Sequence, residues 1–180
     1  MDQSRPTIVE VISKTMVTHT ITYSIIGLLA YMTFEYEHLF AETSLNLLMR
    51  QTSDSLVMTG PLFQPIRGIL FGIVFFLLRD TLFRRKSGWL VMWITLVVIG
   101  TIGTFGPTPG SIEGMIYTVL PMKLHLTGLP EVILQALILS VVLFYWVNHR
   151  EKMWLNWFMV TAFFLVMLLP TLGLLVEQPN

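Results

Sequence analysis

Residues 15–34 form a stretch of twenty without a single Asp, Glu, Lys or Arg, and this run narrows the possible folds more than any other feature. A helix of about twenty residues, rising 1.5 Å per residue, covers the ~30 Å of hydrocarbon in a bilayer. Further apolar runs follow, so a lone buried core helix does not explain the pattern. Apolar residues make up 54% of the chain and charged ones only 12%, where soluble domains carry about one-quarter charged residues. The expectation is an all-α, polytopic integral membrane bundle, organised as a single transmembrane domain over residues 1–180.

The runs place five spans, at about 15–34, 65–83, 88–105, 131–148 and 153–176. Ahead of the first, charges at Asp2, Arg5, Glu10 and Lys14 alternate with Ile8, Val9, Val11 and Ile12, the pattern of a short interfacial helix entered after Pro6 with Thr7 near its start. Span one has a polar first half, Thr18, His19, Thr20, Thr22, Tyr23 and Ser24, which predicts a face turned to other helices or a cavity. Residues 35–54 mix Glu35, Glu37, His38 and Glu42 with Leu39, Phe40, Leu45 and Leu48, as in an amphipathic helix on the outer membrane surface. Gly60, Pro61 and Pro65 predict non-helical or broken-helix chain over 56–64, a second span starting at Pro65, and Arg67 in its first turn. The five tryptophans fall near span ends, where interfacial anchors sit.

Between spans three and four, residues 105–114 read F-G-P-T-P-G-S-I-E-G. Three glycines and two prolines there forbid a continuous helix. Irregular backbone near membrane depth is tolerated where protein covers it or water reaches it, so this is a place to look for a site. The apolar piece 115–122 is too short to cross, and residues 112–122 are read as re-entrant or interfacial.

Basic residues give an orientation. Arg5, Lys14, Arg79, Arg84, Arg85, Lys86, Arg150 and Lys152, eight of the eleven, fall on one side of a five-span scheme. The positive-inside rule then predicts a cytoplasmic N-terminus and an outside C-terminus in a plasma or inner membrane. The first apolar run is too long for a cleaved signal and ends in F-E-Y-E-H, so it is read as retained.

Several chemistries are disfavoured. Cysteine is absent and net charge is zero, which removes thiolate chemistry and any global field to attract nucleic acid. Glu35, Glu37, His38, Glu113 and His125 lack a metal-binding spacing, so no metal is expected. A haem between His19 and His149 is disfavoured because His149, in N-H-R-E-K, reads as a solvated interface residue. No cofactor is expected.

The candidate ligand-binding residues are Arg67, Ser111, Glu113, His125 and Glu37, all on the predicted outer half. Arg67 is the strongest, because a guanidinium in an apolar segment costs several kcal/mol unless paired or wetted; the plain alternative is an arginine snorkelling to headgroups. Ser111 suits the N-cap of a half-helix over 112–120, and Glu113 either meets Arg67 or complements its own helix dipole. Ser111 lacks the surroundings of a nucleophile. The small-residue pairs Gly68/Gly72 and Gly100/Thr104 predict close helix packing within the protomer.

Three functions remain open: a transport or channel-like protein with an outer polar vestibule, a membrane-embedded enzyme acting on a lipid or lipid-linked group at the outer leaflet, and a non-catalytic subunit of a membrane complex. The expected partners are membrane lipids and a small solute or ion, with a homo-oligomer or a larger membrane complex as the assembly.

Overall fold

The computed structural model describes residues 5–34 and 50–176, with side chains described to residue 172. Among the described residues every regular element is helical. The elements are α1 (Ile8–Phe34), α2 (Ser55–Met58), α3 (Gly60–Leu77), α4 (Arg79–Leu82), α5 (Gly88–Ile94) running into a π-helical segment π1 (Thr95–Ile102), α6 (Ile112–Tyr117), α7 (Met122–Thr127), α8 (Leu129–Asn148) and α9 (Met153–Val176). Four helical stretches, Ile8–Phe34, Gly60–Leu77, Met122–Asn148 and Met153–Leu172, are long and apolar enough to cross a membrane.

The first helix starts where the sequence says it should, after Pro6, with the Thr7 hydroxyl accepting the Glu10 N–H at 3.3 Å as an N-cap does. It then continues without a break into the charge-free run. The separate interfacial helix expected before span one is therefore corrected: with no Gly or Pro between residues 7 and 26, nothing stops the helix.

The chain over 56–64, expected to be non-helical or broken helix, is a broken helix: α2 ends at Met58, Thr59 interrupts, and α3 starts at Gly60 rather than at Pro65. Asp54 caps α2, accepting the Leu56 N–H at 2.8 Å. The Arg50 side chain bonded to Asp54, with that amide, holds the Asp54 carboxyl below the usual carboxylate range. Pro61 stands in the first turn of α3, where its missing N–H would have no helical partner anyway. Pro65, one turn later, forfeits a single bond to residue 61. Arg67 therefore lies in the body of α3, not in its first turn.

The predicted third span is also shorter than expected. Gly88–Ile102 is an apolar helix of 15 residues, about 22 Å even at the α-helical rise, and its second half is wound as a π-helix. The half-helix after Ser111 ends at Tyr117 rather than residue 120. The surface helix expected over 35–54 lies, for residues 35–49, outside the described residues, and residues 50–54 are not helical. The fourth and fifth helices match their expected bounds closely.

Helix α1 is the centre of the bundle, packing on α3, α8 and α9. Its contact with α3 is the tightest. A Cβ on Gly68 would stand 2.6 Å from Met16 Cα, and one on Gly72 would stand 2.7 Å from Ile12 Cα. This small-residue seam does hold two helices of one protomer together, as expected. Gly100 does not, since a Cβ there would meet nothing within 4 Å. One apolar core joins Val11, Phe75, Leu82, Met92, Leu143 and Val147; a second joins Val17, Ile21, Trp146, Leu155 and Met159. Trp146 is thus a core residue, its Nε1 donating to Asn156 Oδ1 at 2.6 Å, and not an interfacial anchor.

Polarity is inverted relative to a water-soluble bundle. Thr15, Thr18, His19, Thr20 and Thr22 are buried, while Leu28, Leu29, Ile66, Leu70, Phe164 and Leu165 are exposed. The buried threonines return their hydroxyls to their own helix, Thr15 to the Val11 carbonyl and Thr18 to that of Lys14. They need no further partner.

Three distant segments meet at one end. Glu10 accepts Lys14 Nζ on Oε1 at 3.0 Å and Arg150 Nη2 on Oε2 at 2.6 Å. Lys14 also donates to the Trp146 carbonyl at 3.0 Å. Arg5 and Arg84 approach Asp80 at 3.9 and 3.6 Å. The start of α1, the α3–α5 link and the α8–α9 link, which hold the eight basic residues named above, are therefore gathered together.

Candidate functional site

The segment 105–114 folds as a closed loop. Gly110 has φ +84°, a conformation that favours glycine. A Cβ on Gly114 would stand 2.0 Å from the Thr108 carbonyl oxygen, so the loop closes only over a bare Cα. Ser111 Oγ accepts the Gly114 N–H at 2.9 Å and donates to the Thr108 carbonyl at 2.8 Å. As expected, Ser111 is the N-cap of α6.

His125 on α7 latches this loop to the helix that leads into α8. Its Nδ1 accepts the Gly110 N–H at 3.1 Å, which fixes the remaining proton on Nε2 in the neutral ring. Nε2 lies 3.4 Å from Thr118 Oγ1, and Thr118 donates to the Gly114 carbonyl at 2.7 Å. Ser111 and His125, 0% and 2% exposed, are thus occupied in holding the loop. Glu113 is half-buried in the first turn of α6 and forms no ion pair among the described residues. No salt bridge joins it to Arg67. Glu37 lies outside the described residues.

Arg67 is exposed on α3, its guanidinium 5.4 Å from the Phe71 ring centroid one turn along. That cation–π contact compensates a desolvated charge only in part. Among the described residues no carboxylate pairs with it.

His19 is the residue that composition and motif reading undervalued. It is 1% exposed and lies 3.2 Å, Nε2 to Oε1, from Gln64 across the α1–α3 seam. An amide oxygen only accepts, so Nε2 carries the proton and Nδ1 is a bare acceptor. That Nδ1 is buried without a hydrogen-bond partner. Gln64 is fixed in turn by donating to the Gly60 carbonyl at 3.3 Å, and the Phe71 ring packs edge-on to the imidazole with centroids 5.0 Å apart. Tyr23 and Glu131 border the same region: a Cβ on Gly60 would stand 3.8 Å from Tyr23 Oη, and one on Gly27 would stand 3.8 Å from Glu131 Oε1.

The arrangement is a polar centre between α1, α3 and the start of α8, made of His19, Gln64, Tyr23 and Glu131, with the exposed Arg67 at its edge, against the Phe71 ring that packs on His19. It holds a hydrogen-bond acceptor, a phenol and a carboxylate, with a cation at its rim. Among the described residues no group of three His, Asp or Glu is placed to hold a metal ion. The sequence signal was present in part, since His19 and Arg67 are the ionisable groups within apolar runs; Gln64 carried none beyond its polarity. Comparisons with family models, curated proteins and solved structures find no match.

Proposed function

We propose that this chain is a small integral membrane protein that moves a small solute or ion through the polar centre around His19. In this reading five segments cross the bilayer, the shorter Gly88–Ile102 included, with the N-terminus cytoplasmic and the C-terminus outside. The gathering of basic residues at one end supports that orientation. The observation that carries the function is the buried His19 Nδ1 without a partner, with the Phe71 ring against it carrying the Arg67 guanidinium, which forms no salt bridge among the described residues. Buried polar atoms are nearly always satisfied, and an exception points to a missing water or ligand. Ionisable groups inside a membrane are costly and are retained chiefly for function.

Arg67 supplies the positive charge to attract an anionic group, Glu131 the opposing carboxylate, and His19 and Tyr23 the groups able to pass a proton or hand on a hydrogen bond. Ser111 and His125 then serve as the frame of the outer mouth rather than as its ligands. The test is flux in proteoliposomes, with protons read by a trapped pH dye and chloride by a halide-sensitive dye. His19→Phe and Arg67→Gln should each abolish the flux of whichever ion the wild type passes, with helical content unchanged. Wild-type rates in both variants, or no wild-type flux above empty vesicles, would remove the reading.

A second reading is a non-catalytic subunit of a membrane complex. It is favoured by the loop 105–114, whose buried polar groups satisfy one another and leave nothing directed at a ligand. Its mark would be recovery of the chain from native membranes in a complex of fixed stoichiometry, with no flux by the isolated protein.

A further inference from the structure

A groove of about 420 Å³ runs between α1, α8 and α9, away from the polar centre. Its walls include Ile21, Ile25, Val141, Tyr145, Trp154 and Phe158, and the outer five of these are exposed large hydrophobic side chains. The two hydroxyls on the lining are engaged elsewhere: Thr22 donates to the His19 carbonyl at 3.1 Å, and Tyr145 accepts from Lys152. The surface the groove presents is apolar throughout. The groove suits a flexible apolar chain.

What stands at its mouth decides the occupant. Tyr145 is flanked by His149, stacked on its ring with centroids 4.0 Å apart, and by Lys152, whose Nζ lies 4.7 Å from the ring centroid. Lys152 has no carboxylate partner among the described residues. Its ammonium spends one donor on Tyr145 and has others to give. The mouth therefore combines an interfacial tryptophan, an available ammonium and an apolar slot beneath them.

We propose that this groove binds one acyl chain of an anionic phospholipid in the cytoplasmic leaflet, with the headgroup phosphate on Lys152. Basic pockets between helices on the cytoplasmic side recognise lipid headgroups in this manner. A second copy of the chain fits less well. Two copies meeting groove to groove in one membrane orientation bring the two Lys152 ammoniums to the same depth at the contact, where like charges oppose it. The proposal takes from the preceding reading only the membrane setting and its orientation; it does not require solute movement.

The experiment is lipid retention by the purified full chain in mild detergent, measured by native mass spectrometry with equal phosphatidylglycerol and phosphatidylcholine. The wild type should retain phosphatidylglycerol preferentially. Lys152→Gln should lower that retention about fivefold, the factor one basic side chain supplies near an anionic surface, and leave phosphatidylcholine unaffected. Val141→Trp, which fills the groove, should lower retention of both. No preference in the wild type, or unchanged retention in Lys152→Gln, overturns the proposal. So does a lipid-free dimer that Val141→Trp converts to monomer, since that assigns the groove to a second copy. Should Val141→Trp lose its helical content, the wild-type preference and Lys152→Gln still decide. A flux failure in the His19 and Arg67 variants with lipid retention intact separates this proposal from the transport reading.

Discussion

Two buried charged or titratable side chains on α1 meet opposite fates. Lys14 is 9% exposed, yet its ammonium reaches a carboxylate, a carbonyl and, at 5.4 Å, the Trp146 ring. His19, five residues on, has one nitrogen bonded and the other bare. The first arrangement is that of a structural tie, the second that of a group left available. Removing Glu10 should expose the difference, because it leaves Lys14 buried without its counter-charge. Glu10→Ala is expected to cost about 3–5 kcal/mol of stability, read as a lowered midpoint in thermal unfolding in detergent. Pairing it with Lys14→Met should recover most of the loss, since the uncompensated charge is then gone. A single variant as stable as the wild type would mean that the ammonium reaches water.

At the level of elements, the seam between α1 and α3 sets where the polar centre lies. Gly68 and Gly72 let the two backbones close, and the register they impose brings Gln64 opposite His19 and Gly60 opposite Tyr23. Gly68→Ala places a methyl against the Met16 backbone rather than against a yielding side chain. Overpacking of that kind is expected to cost about 1–3 kcal/mol and to weaken the His19–Gln64 bond, detectable as a shift of the imidazole nitrogen resonances. Stability at the wild-type level with an unshifted imidazole would show that the seam is looser than drawn. The loop 105–114 gives a contrasting forecast. His125→Ala deprives the Gly110 N–H of its acceptor, so amide exchange should accelerate over residues 106–118 by about tenfold, equivalent to a bond of roughly 1.4 kcal/mol, while any ion flux persists. Loss of flux with unaltered exchange would return His125 to the site.

These elements show what could be read in the chain and what could not. The long helices were legible because uninterrupted apolar length is a local property. The start of the second long helix falls at Gly60 and not at Pro65, since the cost of proline depends on its distance from the helix start, and that start is not marked by any capping side chain. The expected start at Pro65 put Arg67 at a helix end, where snorkelling is natural, and away from the body of α3, where it is not. Ser111 was legible as a cap because capping is local. The His19–Gln64 bond was not, because it depends on the register of two helices that are 45 residues apart in sequence at that contact.

For the whole molecule, the decisive question is whether the short segment Gly88–Ile102 carries the chain from one side of the bilayer to the other. In the proposed five-segment reading it does. Lys86 adjoins the basic cluster, whereas the loop that follows π1 is latched by His125 to α7, which leads into α8, and α8 descends to Arg150 and Glu10 at that same cluster. A segment of 15 residues reaches across if the bilayer thins locally or if the loop dips to meet it, at a modest cost per ångström of mismatch. The absence of cysteine from the chain allows a clean test, because single cysteines introduced at exposed positions have no background. Ser53→Cys and Val119→Cys should react with a membrane-impermeant maleimide in intact cells, and Lys86→Cys and Glu151→Cys only after permeabilisation. Should Val119→Cys instead label together with Lys86→Cys, Gly88–Ile102 turns back without crossing, and the five-segment reading fails.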